Sequence, residues 1–436
     1  MTGNDRQSSR TFSKAFDRGE DLARQFDAAD DLAPYRARFH LPRQADGKPV
    51  AYFCGNSLGL QPLDAGSLVE KEMDDWATYG VDGHFRAATP WYSYHEVFRR
   101  CATSLVGALP GEVVMMNSLT VNLHLMMVSF YRPSAARFKI LVEDGTFPSD
   151  AYAIQSQLSY HGFDPEQGVL VARPRPGEST LRTEDLEALI EQYGSEIALV
   201  LLGGVNYRSG QLFDMQRIAA AAQGRGCVVG YDLAHAAGNV PIALHDWGVD
   251  FAVWCSYKYL NGGPGSVGGC FVHERHADRP ELSRFAGWWG NDPGRRFQMQ
   301  EERVFRPVAG AEGWQLSNPS ILAMAPLRVS LAIFEEAGIE LLRKKSLHLT
   351  GYLQDWIDSI AEPSIEVVTP RDPRARGCQI SLELRRDARE LFEFLRVRGI
   401  VGDFREPDVL RLAPVPLYNT FHDVWRAGRA IEEWSR

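Results

Sequence analysis

The sequence predicts an α/β protein in which a mostly parallel central sheet is covered by helices, followed by a smaller α+β domain at the C-terminus. Three observations support this prediction. From about residue 113 to residue 275, apolar β-branched runs alternate with helical patterns, which is typical of parallel strands joined by crossover helices. After about residue 320, the pattern changes to long helices and then to short strands. A chain of 436 residues, 44% of them hydrophobic, is long enough to bury a large core.

The changes of pattern also predict the domain boundaries. We expect residues 1–48 to form a charged N-terminal arm that contributes to the small domain, residues 49–320 to form the large domain, and residues 321–436 to form the small C-terminal domain. Within the arm, Glu20 to Phe26 has the spacing of an amphipathic helix.

Strands and helices alternate through the large domain. Asp214 to Gln223 illustrates a connecting helix, because Asp214 can cap the first turn, alanines fill the body, and glycines end it. The predicted strands are Val113–Met116, Ile140–Glu143, Val169–Ala172, Ala198–Leu202, Cys227–Tyr231 and Phe251–Trp254. In the C-terminal domain, helices are predicted over 321–336, 339–360 and 387–398 and after His422, and short strands around Val367 and over 379–384.

Charge and composition limit the function classes. Lys and Arg number 47 against 56 Asp and Glu, and the net charge of -9 argues against general binding of a nucleic-acid backbone. No stretch approaches the roughly 18 uncharged apolar residues of a membrane span. Met1 to Glu20 lacks the apolar core of a signal peptide. We therefore expect a soluble, cytoplasmic protein with neither a nucleic-acid nor a membrane partner.

Cysteine and histidine usage gives no sign of a cofactor metal. The six cysteines contain no C-x-x-C pair, which favours buried reduced thiols. The 11 histidines show no ligand spacing such as H-E-x-x-H, so no catalytic metal is expected.

Two successive predicted strands end in residues that suit one kind of chemistry, Asp232 after the first and Lys258 after the second. The ligand crevice of a parallel sheet lies outside the carboxyl ends of its strands. The 18 residues from Leu233 to Asp250 suffice for the crossover that makes such strands neighbours. A lysine can form a Schiff base with an aldehyde, and a carboxylate can keep a pyridine nitrogen protonated. Either residue alone is more often a surface lysine or a loop cap, but the pair predicts a pyridoxal 5'-phosphate site.

A phosphate group requires a cradle, and a helix N-terminus after a strand supplies one through free N–H groups. Asn117–Thr120 lies at such a place, before an apolar helix predicted over Val121–Phe130. A simple N-cap without a ligand is the alternative. Thr146–Asp150 forms a turn at another strand end, where Phe147 can stack on a flat ring, although core packing is the more common role of phenylalanine.

A glycine-rich segment, Gly263 to Gly268, matches the dinucleotide-binding pattern G-x-G-x-x-G. That pattern must leave a strand and open a helix. Here it leads into the strand-like run Cys270 to Val272, so we interpret it as a loop beside Lys258.

Together with these residues, seven segments in chain order make the sequence resemble the kynureninase family, within the aminotransferase-like superfamily of pyridoxal phosphate enzymes. The Asp232 and Lys258 segments belong to the wider superfamily, whereas the first and last segments are more particular to kynureninases. The segments are 56–62 (NSLGLQP), 147–150 (FPSD), 232–236 (DLAHA), 254–261 (WCSYKYLN), 287–290 (GWWG), 317–319 (SNP) and 411–419 (RLAPVPLYN).

The resemblance implies aminotransferase fold type I, with 49–320 as the cofactor-binding domain, and an activity. The reaction would be hydrolytic Cβ–Cγ cleavage of L-kynurenine to anthranilate and L-alanine, and of 3-hydroxy-L-kynurenine to 3-hydroxyanthranilate and L-alanine. This reaction belongs to tryptophan catabolism and the supply of NAD precursors.

The resemblance also implies residue roles. Lys258, Tyr257 and Asp232 would be catalytic: the lysine holds the cofactor and removes the Cα proton, the tyrosine lends a proton, and the aspartate keeps the ring protonated. Further cofactor contacts would come from Leu119, Thr120, Phe147, Asp150 and His235, and from Trp288 and Asn318 of the second subunit of a homodimer. Arg411 would bind the substrate carboxylate with a bidentate fork. Where some relatives carry a serine near the cofactor, this chain has Gly203.

Three residues that the resemblance places around the substrate's aryl ring, namely His84, Ser317 and Asn318, favour 3-hydroxykynurenine as the preferred substrate. Their polar groups offer partners to a phenolic hydroxyl, and a pocket built for a hydroxyl discriminates against a substrate that lacks it. The alternative is that His84 is a surface residue and Asn318 a helix cap.

Other functions remain open on the residues alone. They are an aminotransferase or cysteine desulfurase, a nicotinamide oxidoreductase that uses the glycine-rich segment, and a regulator that binds pyridoxal phosphate without turnover. A desulfurase needs a mobile exposed thiol, whereas Cys378 adjoins a predicted strand.

Overall fold

The computed structural model describes residues 18–279, 281–301, 304–360 and 362–436. Residues 1–17 of the predicted arm lie outside the described residues. The helices of the described chain are α1 (Glu20–Ala28), α2 (Ala65–Tyr79), α3 (Gly83–Arg86), α4 (Arg99–Val106), α5 (Leu119–Phe130), α6 (Pro148–Tyr160), α7 (Pro165–Gly168), α8 (Thr183–Tyr193), α9 (Met215–Gly224), α10 (Ile321–Ala337), α11 (Ile339–Asp358), α12 (Ala388–Val397) and α13 (Phe421–Trp434). The strands are β1 (Ala51–Tyr52), β2 (Val113–Met116), β3 (Lys139–Glu143), β4 (Val169–Ala172), β5 (Ile197–Gly203), β6 (Val228–Asp232), β7 (Phe251–Trp254), β8 (Gly268–Val272), β9 (Ile365–Val367), β10 (Ile380–Leu384), β11 (Ile400–Val401), β12 (Asp403–Arg405) and β13 (Val409–Leu412).

The central sheet has seven strands in the order β2-β8-β7-β6-β5-β3-β4. The pairs from β4 to β7 are parallel, whereas β8 is antiparallel to both of its neighbours, β7 and β2. The predicted, mostly parallel sheet is therefore confirmed, and β6 and β7 are neighbours as expected. Because β2 runs with the parallel set, the carboxyl ends of six strands meet at one edge.

Both faces of this sheet are buried. Leu141 of β3 lies in one hydrophobic cluster, whereas its neighbours Ile140 and Val142 lie in another. Successive side chains of a strand point to opposite faces, so each cluster covers one face. Such strands are continuously apolar, which explains why the sequence showed them as unbroken β-branched runs.

The reversal of β8 follows from its connection. Residues 255–267 join β7 to β8 without a helix, and parallel neighbours normally need a crossover helix. The glycine-rich segment lies in this connection, with positive φ angles of 84° at Gly263 and 76° at Gly265, and it leads into a strand. The prediction that it is a loop and not a dinucleotide fingerprint is confirmed.

Most predicted element boundaries agree with the structure to within two residues. Asp214 caps α9, because its side chain accepts a hydrogen bond of 3.1 Å from the N–H of Arg217. The expected start of α5 at Val121 is wrong by two residues. The helix begins at Leu119, so Leu119 and Thr120 lie in its first turn.

A second, antiparallel sheet in the order β12-β13-β10-β9 lies in the C-terminal part of the chain. Its strands β9 and β10 match the predicted short strands, whereas β12 and β13 were not predicted. Helix α1 belongs to the same region, because Ala23 lies in one hydrophobic cluster with Leu353 and Val424. The domain boundaries themselves stay a prediction.

All six cysteines are free. Four are buried, as predicted, namely Cys227, Cys255, Cys270 and Cys378. The prediction is wrong for Cys54 and Cys101, which are partly exposed. In the described part of the chain, we find no helix with the length and apolar character needed to cross a membrane.

Candidate active site

A pocket lies at the carboxyl edge of the central sheet, where β3, β5, β6 and β7 end and α5 and α6 begin. It brings together eight of the predicted site residues, which come from four separate stretches of the sequence. The residues that line it are Leu119, Thr120, Glu143, Phe147, Ser149, Asp150, Gly203, Val205, Tyr207, Asp232, Ala234, His235, Tyr257 and Lys258.

Lys258 lies in the loop after β7, and its amine is close to two ring systems. Its Nζ is 3.1 Å from Nε2 of His235 and 5.6 Å from the centroid of the Phe147 ring. Burial, and then the positive charges of Lys258 and Arg411, hold the pKa of His235 well below its usual value. The imidazole is therefore neutral, and its Nε2 can accept a hydrogen bond from the lysine amine.

Asp232, the last residue of β6, faces a second buried carboxyl group. Its Oδ1 accepts a hydrogen bond of 2.7 Å from the N–H of Ala234. Asp150, in the first turn of α6, contacts the Asp232 side chain. Burial, and then the charge of Asp232, raise the pKa of Asp150 well above its usual value. A protonated Asp150 can donate a hydrogen bond to Asp232, which leaves the pair with one negative charge.

Glu143 is a third carboxyl group of the pocket, and our sequence reasoning missed it as a site residue. It is the last residue of β3 and is buried. Its carboxylate accepts a hydrogen bond from the N–H of Gly203, whose nitrogen is 3.1 Å from Oε1 and 3.4 Å from Oε2. Burial raises its pKa to about 7, and the charge of Asp232 acts in the same direction. A signal was present, because a glutamate directly follows the buried run Ile140 to Val142.

The part of the pocket formed by the start of α5 has the features of an anion site. Ser118 is the N-cap of α5, yet its side chain makes no capping hydrogen bond, so side-chain oxygens do not occupy the first N–H groups of the helix. The hydroxyl of Thr120 lies 3.1 Å from that of Ser149 on α6. A helix N-terminus flanked by two hydroxyls favours a phosphate group.

The residues present fit pyridoxal phosphate. A buried oxygen, Oδ1 of Asp150, and a buried nitrogen, Nδ1 of His235, have no hydrogen-bond partner among the described residues. Buried polar atoms of this kind normally have a partner, and the polar edge of a pyridine ring could supply one. The anion site and the lysine amine suit the other two functional groups of the cofactor.

Arg411 lies behind the pocket and not in its lining. The side chain is fully buried on β13, where Nη2 is 2.7 Å from Oδ2 of Asp403 and Nη1 donates a hydrogen bond of 2.7 Å to the carbonyl of Tyr207. Tyr207 itself lines the pocket. Tyr207 therefore separates Arg411 from the pocket. The predicted role of Arg411 in binding the substrate carboxylate stays a prediction.

Four further predicted site residues do not line this pocket within one chain. Trp288 packs edge-on against Trp289, with ring centroids 4.8 Å apart. Ser317 donates a hydrogen bond of 3.1 Å to Asn318, and both are exposed. His84 is partly buried, with Nδ1 3.0 Å from the carbonyl of Val81. The predicted roles of these four residues stay predictions.

Sequence comparison decides the family. A family described as "Kynureninase C-terminal domain" matches residues 342–431. The chain is 55% identical to a kynureninase of Myxococcus xanthus over 97% of this chain and 98% of the relative. It is 53% identical to a kynureninase of Salinispora tropica over 94% of this chain and 96% of the relative. The chain belongs to the kynureninase family.

Comparison of structures supports the fold. The cysteine desulfurase CsdA of Escherichia coli superposes with a TM-score of 0.74 at 17% identity, over 92% of this chain and 98% of that chain. A variant of C-DES with glycine covalently linked to its PLP cofactor gives a TM-score of 0.74 at 16% identity, over 87% and 96%. The predicted aminotransferase fold type I is therefore confirmed. At these identities the likeness concerns the fold alone.

The raised pKa of Glu143 gives a testable dependence of stability on pH. Between the model-peptide pKa of 4.5 and the folded-state pKa of about 7, the folded chain binds more protons than the unfolded chain, so its stability falls as pH rises. Glu143→Gln keeps the acceptor for Gly203 but cannot ionise. Between pH 5 and pH 8, we therefore expect the free energy of unfolding of Glu143→Gln to rise by about 2.5 kcal/mol relative to that of wild type.

Urea unfolding of the cofactor-free proteins at both pH values measures this difference. Glu166→Gln, at an exposed glutamate of α7, is the control and should track wild type. If the free energy of unfolding changed with pH equally in Glu143→Gln and wild type, Glu143 would have the same pKa in the folded and unfolded chains, and the prediction would be wrong.

Proposed function

We propose that the chain hydrolyses the Cβ–Cγ bond of L-kynurenine, and of 3-hydroxy-L-kynurenine, to release L-alanine and anthranilate or 3-hydroxyanthranilate. One observation carries the proposal: in a chain of the kynureninase family, the amine of Lys258 and the buried Asp232–Asp150 pair line one pocket. The reaction belongs to tryptophan catabolism and to the supply of NAD precursors.

The cofactor is pyridoxal phosphate. When bound, it supplies an aldehyde that condenses with amines and a ring that takes up the electron pair released at Cα. We assign its phosphate to the first turn of α5 at Leu119 and Thr120, its ring to the face of Phe147, and its ring nitrogen to Asp232. These assignments are supported by the anion site and by the orphan oxygen of Asp150.

Lys258 moves the proton of Cα in this proposal. A lysine acts as a base only after it loses a proton, and the neutral imidazole of His235, 3.1 Å away, can accept a hydrogen bond from the amine without adding a second positive charge. Asp232 supplies the negative charge opposite the ring nitrogen, and Asp150 steadies it as a hydrogen-bond donor.

Tyr257 is suited to donate a proton. Burial, and then contact with Cys255, raise the pKa of its hydroxyl above the usual value, so the hydroxyl keeps its proton at neutral pH. A phenol next to the lysine can therefore protonate Cβ of the product as the bond breaks.

Arg411 binds the substrate carboxylate in this proposal. Its guanidinium is already held by Asp403 and by the carbonyl of Tyr207, while its Nε makes no hydrogen bond to the described residues. Tyr207 itself lines the pocket, so Arg411 lies directly behind the pocket wall. A planar fork of this kind pairs with a carboxylate through two parallel hydrogen bonds.

We further propose that the protein works in the cytoplasm as a homodimer with shared active sites. Trp288, Asn318 and His84 do not line the Lys258 pocket of their own chain, yet the family resemblance assigns them to the cofactor and substrate. Exposed Phe85 and Phe297, whose rings lie 6.1 Å apart, form an apolar patch beside His84 and Trp288. A second subunit would cover this patch.

Replacement of the lysine tests the activity. We expect Lys258→Ala to lower anthranilate formation by about a thousandfold or more, because it removes both the covalent anchor and the base. The visible absorbance of the cofactor-lysine link should disappear, while fluorescence quenching still reports cofactor bound through the phosphate site. Lys71→Ala, at an exposed lysine of α2, should change nothing. Substantial turnover by Lys258→Ala would refute the assignment.

A subunit-mixing experiment tests the shared site. Lys258→Ala and Trp288→Ala should each be inactive, but a heterodimer of the two has one intact site. Random reassociation of equal amounts should restore about a quarter of wild-type activity. Mixing Lys258→Ala with Asp232→Ala is the control, since both residues belong to one chain's pocket.

 In that control mixture, each pocket of the heterodimer lacks one residue of its own chain, so no activity is expected. Equal recovery in the two mixtures, or recovery in neither, would contradict the shared site.

Substrate preference tests the three polar residues assigned to the aryl ring. We expect kcat/KM to be higher for 3-hydroxykynurenine than for kynurenine, because His84 and Asn318 offer hydrogen-bond partners to the extra hydroxyl. The double variant His84→Phe and Asn318→Thr should shift the ratio toward kynurenine by about tenfold or more. A ratio that stays constant would show that these residues do not recognise the hydroxyl.

A further inference from the structure

Three side chains from three loops converge at the amino edge of the parallel strands, opposite the pocket. Glu112 directly precedes β2, His245 lies in the connection that enters β7, and His273 directly follows β8. One potential ligand atom from each residue lies within 4.8 Å of the other two.

The spacing of these atoms suits a tetrahedral metal ion. Oε1 of Glu112 is 3.0 Å from Nδ1 of His245 and 3.6 Å from Nδ1 of His273. Zinc binds imidazole nitrogen and carboxylate oxygen at about 2.0–2.2 Å, which in a tetrahedron puts neighbouring ligand atoms roughly 3.4 Å apart. The two distances lie on either side of that value.

The carboxylate of Glu112 is held in place before any ion binds. Its Oε2 accepts a hydrogen bond from the N–H of Leu109, and its Oε1 accepts one from the N–H of Glu274, both at 2.7 Å. The backbone is fixed as well, since the N–H of Val272 donates to the carbonyl of Glu112 at 2.8 Å. Ligands oriented by such contacts lose little entropy when they bind a metal.

The two imidazoles differ in how they would become ligands. Contact with Glu112 raises the pKa of His245, so an incoming ion must displace a proton from this ring. Burial, and then the charge of Arg275, lower the pKa of His273, so this ring is already neutral. Its Nδ1 accepts a hydrogen bond of 3.2 Å from the N–H of Arg275, which the ion would replace.

Charge and access around the cluster permit a cation. The guanidinium of Arg275 is paired with Asp250 at 2.6 Å, while Glu274 and Asp246 act on His245 as negative charges. Glu112 is buried, but about a quarter of the His245 side chain is exposed, 26% by area. An ion can therefore enter from that side, and water can take the fourth position.

We propose that Glu112, His245 and His273 bind a divalent transition-metal ion, zinc in the first place, with water as the fourth ligand. A site made of two imidazoles and one carboxylate binds zinc or cobalt in preference to magnesium or calcium, which prefer oxygen ligands. The ion joins the start of β2, the end of β8 and the connection that enters β7. It stabilises these loops and takes no part in the reaction at Lys258, which lies at the other edge of the sheet.

Cobalt titration of the holoenzyme tests the proposal. Co²⁺ should give the intense visible bands of tetrahedral coordination, which saturate near one ion per chain and disappear when Zn²⁺ is added. We expect His245→Ala and His273→Ala each to weaken Co²⁺ binding at least about tenfold, with anthranilate formation unchanged. His422→Ala, at a partly exposed histidine paired with Glu20, is the matched control and should bind like wild type.

Thermal unfolding gives a second measurement. Zn²⁺ should raise the Tm of wild type and of His422→Ala but not that of His245→Ala, because an ion that binds only the folded chain stabilises it. Tetrahedral bands that persist in both His245→Ala and His273→Ala, or that are absent from wild type, would overturn the proposal. These readouts do not depend on kynurenine cleavage, so the two proposals can fail separately.

Discussion

The burial of three carboxyl groups beside one lysine amine is the constraint on which the site depends. Glu143, Asp150 and Asp232 come from the ends of two strands and the start of a helix, and all of them line the pocket. Carboxylates this close in a region of low dielectric cannot all be charged. Protons therefore stay on Asp150 and, near neutral pH, partly on Glu143. The arrangement concentrates negative charge at Asp232, the residue that we propose pairs with the pyridine nitrogen.

The reversed strand β8 connects the two halves of the site. The chain turns back directly after the Lys258 loop and pairs β8 with β2, whose carboxyl end leads into α5. Gly268, the first residue of β8, permits this close packing. A Cβ atom there would lie 2.7 Å from the carbonyl of Trp254 and 3.2 Å from the N–H nitrogen of Leu119. The lysine loop and helix α5 can approach each other because this position has no side chain.

The sequence predicts the large sheet well because buried parallel strands are apolar throughout. It predicts Asp232 and Lys258 because the aspartate ends one such strand and the lysine lies in the loop after the next. Strands β12 and β13 escaped prediction because charged residues interrupt them, among them Asp403 and Arg411, which pair only in the folded chain. Glu143 escaped because a glutamate after a strand resembles the start of an exposed loop. Its burial depends on Gly203 of β5, which is distant in sequence.

The cluster at the amino edge of the sheet is even harder to predict from the sequence, because all three of its residues come together only in the folded chain. No local spacing connects Glu112, His245 and His273, because each lies in a different loop and the antiparallel pairing of β2 with β8 brings two of them together. The four residues of β2 separate Glu112 from the turn that opens α5. The cluster therefore lies a whole strand away from Leu119 and Thr120, which is why we expect loss of an ion there to leave the reaction at Lys258 unchanged.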